Sequence, residues 1–249
     1  MVELKNSREI QEMSEACKLS NAALWVAEKY MQPGITTREI DYEINKFIVQ
    51  SGAKPSFLGL YGFPASACIS LNNEVIHGIP SAKVRLKEGD IVSVDVGAFY
   101  NGFHGDNAYT FPVGRISEEA KQLCDVTLEC LKRGIAAAKP GNRIGDIGHA
   151  VQEYAESFGY GVVRDFVGHG VGRKMHEDPE VPNFGEPGRG VRLVPGMTIA
   201  IEPMINARGT GVKTLANGWT VETVSGSLAA HFEHTVVITE EGARILTLK

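Results

Sequence analysis

The stretch Ile91-Val92-Ser93-Val94-Asp95-Val96-Gly97-Ala98-Phe99-Tyr100-Asn101-Gly102-Phe103-His104-Gly105-Asp106-Asn107-Ala108-Tyr109 decides the fold. Its β-branched, apolar opening reads as a strand over Ile91–Phe99. Tyr100-Asn101-Gly102 has the chemistry of a hairpin turn, so the chain folds back toward a second β-rich run, Tyr109–Val113. Asp95 and Asp106 are then expected to face each other across paired strands. A carboxylate set among Ile and Val residues requires a cation or a proton nearby.

Moving outward, the residues that lead into this strand recur. Pro33-Gly34 and Val84-Arg85-Leu86 with Gly89 return as Pro140-Gly141 and Val191-Arg192-Leu193 with Gly196, each 107 positions later. At that offset Asp95 falls opposite Glu202, which sits in Thr198-Ile199-Ala200-Ile201-Glu202-Pro203-Met204. Two similar halves are expected, about 7–115 and 116–249, in one catalytic domain spanning 1–249. Each half is a helix pair followed by strands. The implied architecture is α+β with pseudo-twofold internal symmetry, antiparallel strands flanked by helix pairs, and a site between the halves.

The helix pairs are legible from periodicity and caps. Ser7 is read as the cap of a first helix with a stripe of Ile10, Met13, Cys17, Ser20, Ala23, Leu24 and Ala27, ending near Tyr30. Thr36-Thr37-Arg38-Glu39 is a capping box that opens a second helix, stopped at Gly52. A third starts at Ser117, and a fourth carries Ile144, Ile147, Val151, Tyr154 and Phe158 up to Gly159. Further strands are expected over Thr198–Ile205, Trp219–Val224 and His234–Thr239.

Composition narrows the function. The 249 residues carry 25 Lys+Arg against 30 Asp+Glu, a net charge of −5 that argues against a phosphate-tracking, nucleic-acid-binding face. No run approaches ~18 apolar residues, so no membrane span is expected, and the acid-containing start does not read as a signal peptide. Cys17, Cys68, Cys124 and Cys130 form no CxxC pair or zinc spacing. They are expected to be free thiols in a reducing compartment, the cytoplasm.

Glu202 and Glu233 join Asp95 and Asp106 as acids in apolar strand contexts. Any one of them alone would read as a surface carboxylate or half of a core salt bridge; four together shift the reading to metal binding. His169 lies between glycines in Gly168-His169-Gly170, which lets backbone approach closely and leaves the ring accessible. Four carboxylates and one imidazole are too hard a set for structural zinc. They are more than one divalent ion needs and nearly balance two ions that share a hydroxide. Such a pair polarises a carbonyl for hydrolysis.

Asp95, Asp106, Gly168-His169-Gly170, Glu202 and Glu233, in this order, resemble the ligand set of the methionine aminopeptidases, metallopeptidases of the pita-bread fold. The resemblance runs from Ser7 to Thr247. It implies removal of the N-terminal initiator methionine from nascent proteins and peptides whose second residue is small. It further implies that Asp95 chelates one divalent ion, His169 and Glu202 hold the other, and Asp106 and Glu233 bridge both. The ions would be cobalt, manganese, iron or zinc. His77 matches a histidine that contacts the scissile amide, and His176 one that steadies the carbonyl oxygen as it becomes an oxyanion. Glu202 matches the proton acceptor for the attacking water. Phe63, Cys68 and Trp219 sit where the family lines its methionine pocket, and Leu60 and Met175 occupy pocket positions where some relatives carry rings. Polarizable groups of this kind suit a thioether.

His104, His149, His231 and His234 receive no role. The 31 positions between Glu202 and Glu233 leave no room for the helical insertion of type II enzymes, and no cysteine-rich extension precedes the catalytic region. The short bacterial type I pattern is therefore expected, acting as a monomer on nascent polypeptide N-termini with transient ribosome contact. Two alternatives share the fold: an X-Pro peptidase, which usually carries a separate N-terminal domain, and a non-catalytic binding protein, which typically loses ligands.

Overall fold

The computed structural model describes residues 2–248. Its helices are α1 (Ser7–Glu28), α2 (Thr37–Gln50), α3 (Glu118–Ala137) and α4 (Ile144–Ser157). At α1 the cap is Asn6, not Ser7. Asn6 holds the extended backbone a cap requires, and its side chain accepts from Arg8 and Glu9 N–H groups in a capping box with Glu9. Thr36 caps α2 in a box with Glu39, as the sequence predicts, and Ser117 caps α3.

The 107-residue repeat is written into the backbone. Gly34 N–H donates to Leu86 O and Leu86 N–H to Ile35 O, both at 2.8 Å. The counterparts Gly141 to Leu193 and Leu193 to Asn142 measure 3.0 and 2.8 Å. Thr36 bridges Arg85 as Arg143 bridges Arg192. In each half these bonds tie the start of the second helix to the segment that feeds the next strand.

Asn101 (φ 50°) and Gly102 (φ 83°) make the two-residue turn of a hairpin between Ile91–Tyr100 and Phe103–Pro112. Positive φ at both positions is the type I′ geometry that Asn-Gly favours. Ala67–Leu71 and Lys54–Pro55 also pair with Ile91–Tyr100, antiparallel throughout. In the other half a five-stranded antiparallel sheet runs in the order Gly242–Ile245, His234–Thr239, Thr198–Ile201, Gly168–Gly170, Glu177–Val181. The run Thr198–Ile205 is not one strand. Glu202-Pro203 divides it into Thr198–Ile201 and Met204–Asn206, which belong to different sheets. Pro203 has no N–H to continue the ladder.

Each half has its own core. α2 and the inner face of α1 bury Leu24, Ile40, Ile44 and Ile48 against Ile69, Val94 and Val96. α3 and α4 bury Leu123, Leu131, Ile147 and Val151 against Ile199, Ile201 and Val236. Tyr109 touches both cores, its ring 5.2 Å from Trp25 and 4.8 Å from Phe232.

Hydroxyls complete the seam between the sheets. The outer edge of Phe103–Pro112 meets the segment 231–235. Thr235 Oγ1 donates to Asp106 O at 2.7 Å, and Glu233 N–H donates to Ala108 O at 2.9 Å. Thr110 Oγ1 donates to His231 O at 2.7 Å. The pairs 106/235, 108/233 and 110/231 keep one antiparallel register. Threonine side chains thus stand in where backbone partners alone would not close the edge.

Candidate metal centre

The hairpin register sets the first two acids. Asp95 lies opposite Ala108, and Asp106 opposite Gly97. The aspartates therefore face each other across the paired strands, as diagonal neighbours on one face. At such spacing side chains still meet. Cys68 pairs with Asp95 on the opposite edge, which brings its thiol to the same region.

The other three candidates come from breaks in the second half. Glu202 follows the last residue of Thr198–Ile201, where Pro203 ends the strand, and Asn183 Nδ2 holds the Glu202 carbonyl at 2.9 Å. Glu233 lies between Ala229–His231 and His234–Thr239, its backbone pinned by the seam. His169 sits in a strand only three residues long. A Cβ on Gly168 would fall 2.4 Å from Ala200 O, and one on Gly170 would fall 2.2 Å from Asp178 O. Only glycine permits that approach, as expected from the sequence.

These side chains converge. His169 Nε2 is 3.5 Å from Asp106 Oδ2 and 3.7 Å from Glu202 Oε1. One ligand atom each from Asp106, His169 and Glu233 lies within 4.8 Å of the others. His169 Nδ1 is 2.7 Å from Gly170 O. A carbonyl only accepts, so Nδ1 carries the proton and Nε2 presents its lone pair to the acids.

The electrostatics call for a cation. Burial raises the carboxyls of Asp95, Asp106, Glu202 and Glu233 above the ordinary carboxylate range, and the Asp106 charge adds to the rise at the other three. Asp95 Oδ1, Asp106 Oδ1 and Glu233 Oε1 are buried and find no hydrogen-bond partner among the described residues. Orphaned oxygens on clustered acids beside a neutral imidazole suit divalent metal, because a cation satisfies atoms that no donor among the described residues reaches. Burial also lowers the His169 pKa, favouring the neutral ring that ligates.

The acids lie in a cleft of about 810 Å³. The cleft is also lined by His77 and His176 and by Phe63, Cys68, Trp219 and Leu60. Met175 packs behind this wall with Phe57, Phe63 and Cys68. Phe63 and Trp219 meet edge to face at 5.1 Å, and His77 stands 6.4 Å from Trp219. The His176 ring is 4.4 Å from that of His169. Burial lowers the His77 pKa to about 4, so the ring is neutral at physiological pH.

Three residues that the sequence left without a role belong to this region. His231 Nε2, buried and without a hydrogen-bond partner among the described residues, stands 3.7 Å from Glu202 Oε2. Phe166 packs edge-on against His77 at 5.7 Å. Tyr61, 76 % exposed and in the left-handed region at φ 51°, stacks on His176 at 5.8 Å. Period-2 alternation does place His231 on the face of Glu233; the positions of Tyr61 and Phe166 have no comparable signal.

The profile of metallopeptidase family M24 matches residues 11–240. A methionine aminopeptidase of Clostridium acetobutylicum is 56 % identical over 248 residues, covering 100 % of this chain and 99 % of that one. Methionine aminopeptidase 1 of Bacillus subtilis is 51 % identical over 247 residues, with 99 % of each chain covered. The crystal structure of methionine aminopeptidase from Thermotoga maritima superposes with a TM-score of 0.98 at 47 % identity, covering both chains completely.

Proposed function

The chain belongs to metallopeptidase family M24, and from that we infer how its residues divide the work of a methionine aminopeptidase. The protein is a metal-dependent hydrolase that removes methionine from peptide N-termini, with the pita-bread fold of the short type I enzymes. Between Glu202 and Glu233 the chain holds short strands and no helix. The observation that carries the reading is one cleft that joins a five-donor cluster to an apolar pocket of Phe63, Cys68 and Trp219.

Asp95, Asp106, His169, Glu202 and Glu233 would hold the metal, two ions per chain by the charge of the set. Asp95 would serve one ion, His169 and Glu202 the other, and Asp106 and Glu233 both. When bound, the metal supplies Lewis acidity toward a peptide carbonyl and an acidified water. Cobalt, manganese, iron or zinc fit these donors.

The protein groups position and move protons. The pocket takes the unbranched methionine side chain against Cys68 and the two rings. His77, neutral and braced by Phe166 and Trp219, contacts the scissile amide. His176 donates to the carbonyl oxygen as negative charge develops there. Glu202 takes the proton of the attacking water, and the neutral His231 ring stands 3.7 Å from its carboxylate. Small second residues are preferred because that position passes beside the acid cluster. The natural substrates are nascent polypeptide N-termini, met in the cytoplasm by a monomer in transient contact with ribosomes. The four free thiols support a reducing compartment, and among the described residues no helix is long and apolar enough to cross a membrane.

The test uses metal-stripped protein and short peptides. Stripped protein should release no methionine from Met-Gly peptide, and each of the four ions, restored separately, shows which one supports turnover. kcat/KM should be high for Met-Gly and low for Met-Lys and Leu-Gly. Cleavage of an X-Pro peptide in preference to Met-Gly would overturn the reading.

A further inference from the structure

We propose that Lys5 is a positioning residue: its buried ion pair with Glu177 fixes the loop that carries His176 into the cleft. The proposal rests on the reading of His176 given above. Lys5 Nζ donates to Glu177 Oε2, and the two side chains are only 4 % and 6 % exposed. Lys5 is itself anchored, since its N–H donates to Gly196 O at 2.8 Å and its Nζ to Glu3 O at 3.0 Å. The other carboxylate oxygen of Glu177 accepts the Lys174 N–H at 3.0 Å. One carboxylate thus ties the N-terminal segment to the two residues on either side of Met175-His176.

The loop closes tightly around the pair. A Cβ on Gly172 would fall 2.5 Å from Lys5 Cε and 2.7 Å from Glu177 Oε1. Gly172 O accepts the His104 N–H at 2.8 Å, and Arg173 bonds Glu9 at 3.0 Å while lying over the Phe103 ring. Lys5, Glu9, Phe103 and His104 hold the loop from the first half of the chain, whereas His176 belongs to the second, where Gly170 pairs with Glu177. Among the described residues His176 makes ring contacts to His169 and Tyr61 and no hydrogen bond that would orient it. Its placement therefore depends on the loop backbone. A buried ion pair contributes little net stability once desolvation is counted, but here both partners are also held by backbone groups, which leaves the pair one geometry. Glu3, Lys174 and Glu177 all line the cleft, so the pair lies at its wall.

The experiment compares Lys5→Met, Lys5→Arg and His176→Ala, all loaded with the same divalent ion, on a Met-Gly peptide. Lys5→Met should lower kcat by about tenfold or more, as expected for a displaced catalytic group, with KM within about twofold and metal content unchanged. Lys5→Arg should recover most of the loss. In the His176→Ala background Lys5→Met should cost nothing further, because a positioning residue has nothing left to position. Wild-type kcat in Lys5→Met, an equal additional loss in the His176→Ala background, or a fall that follows metal content would overturn the proposal. If His176→Ala itself turns over like the wild type, the reading of His176 falls and takes this proposal with it. An impaired His176→Ala beside an unimpaired Lys5→Met sinks the Lys5 proposal alone. If Lys5→Met accumulates no folded protein, Glu177→Gln takes its place with the same expected and overturning results.

Discussion

The strand Ile91–Tyr100 and the strand Thr198–Ile201 begin 107 residues apart, after the same pattern of hydrogen bonds, and then diverge. The first continues for ten residues and turns at Asn101-Gly102. It keeps Asp95 within the strand and places Asp106 diagonally across on its partner. The second stops after four residues at Glu202-Pro203, which leaves Glu202 at a strand end between His169 and His231. An acid inside a continuous ladder has a direction fixed by the pleat. An acid at a broken end can face two imidazoles, as Glu202 does at 3.7 Å from each. The repeated scaffold supplies position, and the break in one copy supplies different chemistry.

The largest effect should come from the continuous copy. Asp106→Asn is expected to abolish detectable methionine release and to lower metal per chain, read by elemental analysis. The fold should survive without metal, because one of the crowded, proton-retaining acids is gone. Normal turnover in the metal-replete variant would remove Asp106 from the centre and break the division of labour between the halves.

Next come the histidines around the cluster. His77→Ala and His176→Ala should each reduce kcat by about 10²–10⁴-fold, the usual worth of a positioned proton-transfer or oxyanion group. Metal content should stay at the wild-type level. Loss of metal from either variant would make that histidine a ligand and enlarge the donor set.

The seam offers a sharper probe, since it joins the two copies. Thr235→Val removes the hydroxyl that serves Asp106 O and N–H, at 2.7 and 3.3 Å. Stranding those buried groups should cost about 1–3 kcal/mol, and Tm should fall by roughly 2–4 °C per kcal/mol in a protein of this size. Thermal unfolding measures it, and an unchanged Tm would show that the seam is closed by packing alone.

The smallest effect compares two equivalent caps. Thr36 Oγ1 accepts the Glu39 N–H at the start of α2, whereas Arg143, at the matching place before α4, offers no side-chain acceptor. Thr36→Ala should destabilise by about 1 kcal/mol, and Arg143→Ala should stay within about 0.5 kcal/mol. Urea unfolding of the two variants side by side decides it, and equal losses would mean that the repeat matters more than the cap chemistry.

Much of this was legible beforehand because the signals are local. Capping boxes, an Asn-Gly turn and the spacing of apolar residues act within a few residues, so α2, α3, α4 and the hairpin follow from the chain itself. The first cap was misplaced by one residue because Asn6 and Ser7 both suit the role, and only the backbone at Asn6 distinguishes them. The strand over Thr198–Ile205 was overextended because its apolar run outweighed the single Pro203.

By itself the sequence determined which residues carry charge, sulfur and imidazole, where helices start, and that the chain repeats at 107. Only the tertiary structure decided that Asp95 and Asp106 meet Glu202, Glu233 and His169 in one cleft. It also decided that Tyr61 and Phe166 join them, that threonines close the seam, and that Lys5 reaches Glu177. Local propensity is resolved within one turn of helix or one hairpin. Contacts such as Asp106 with Thr235, or Lys5 with Glu177, join residues more than a hundred positions apart, and only the packing of the two cores fixes them.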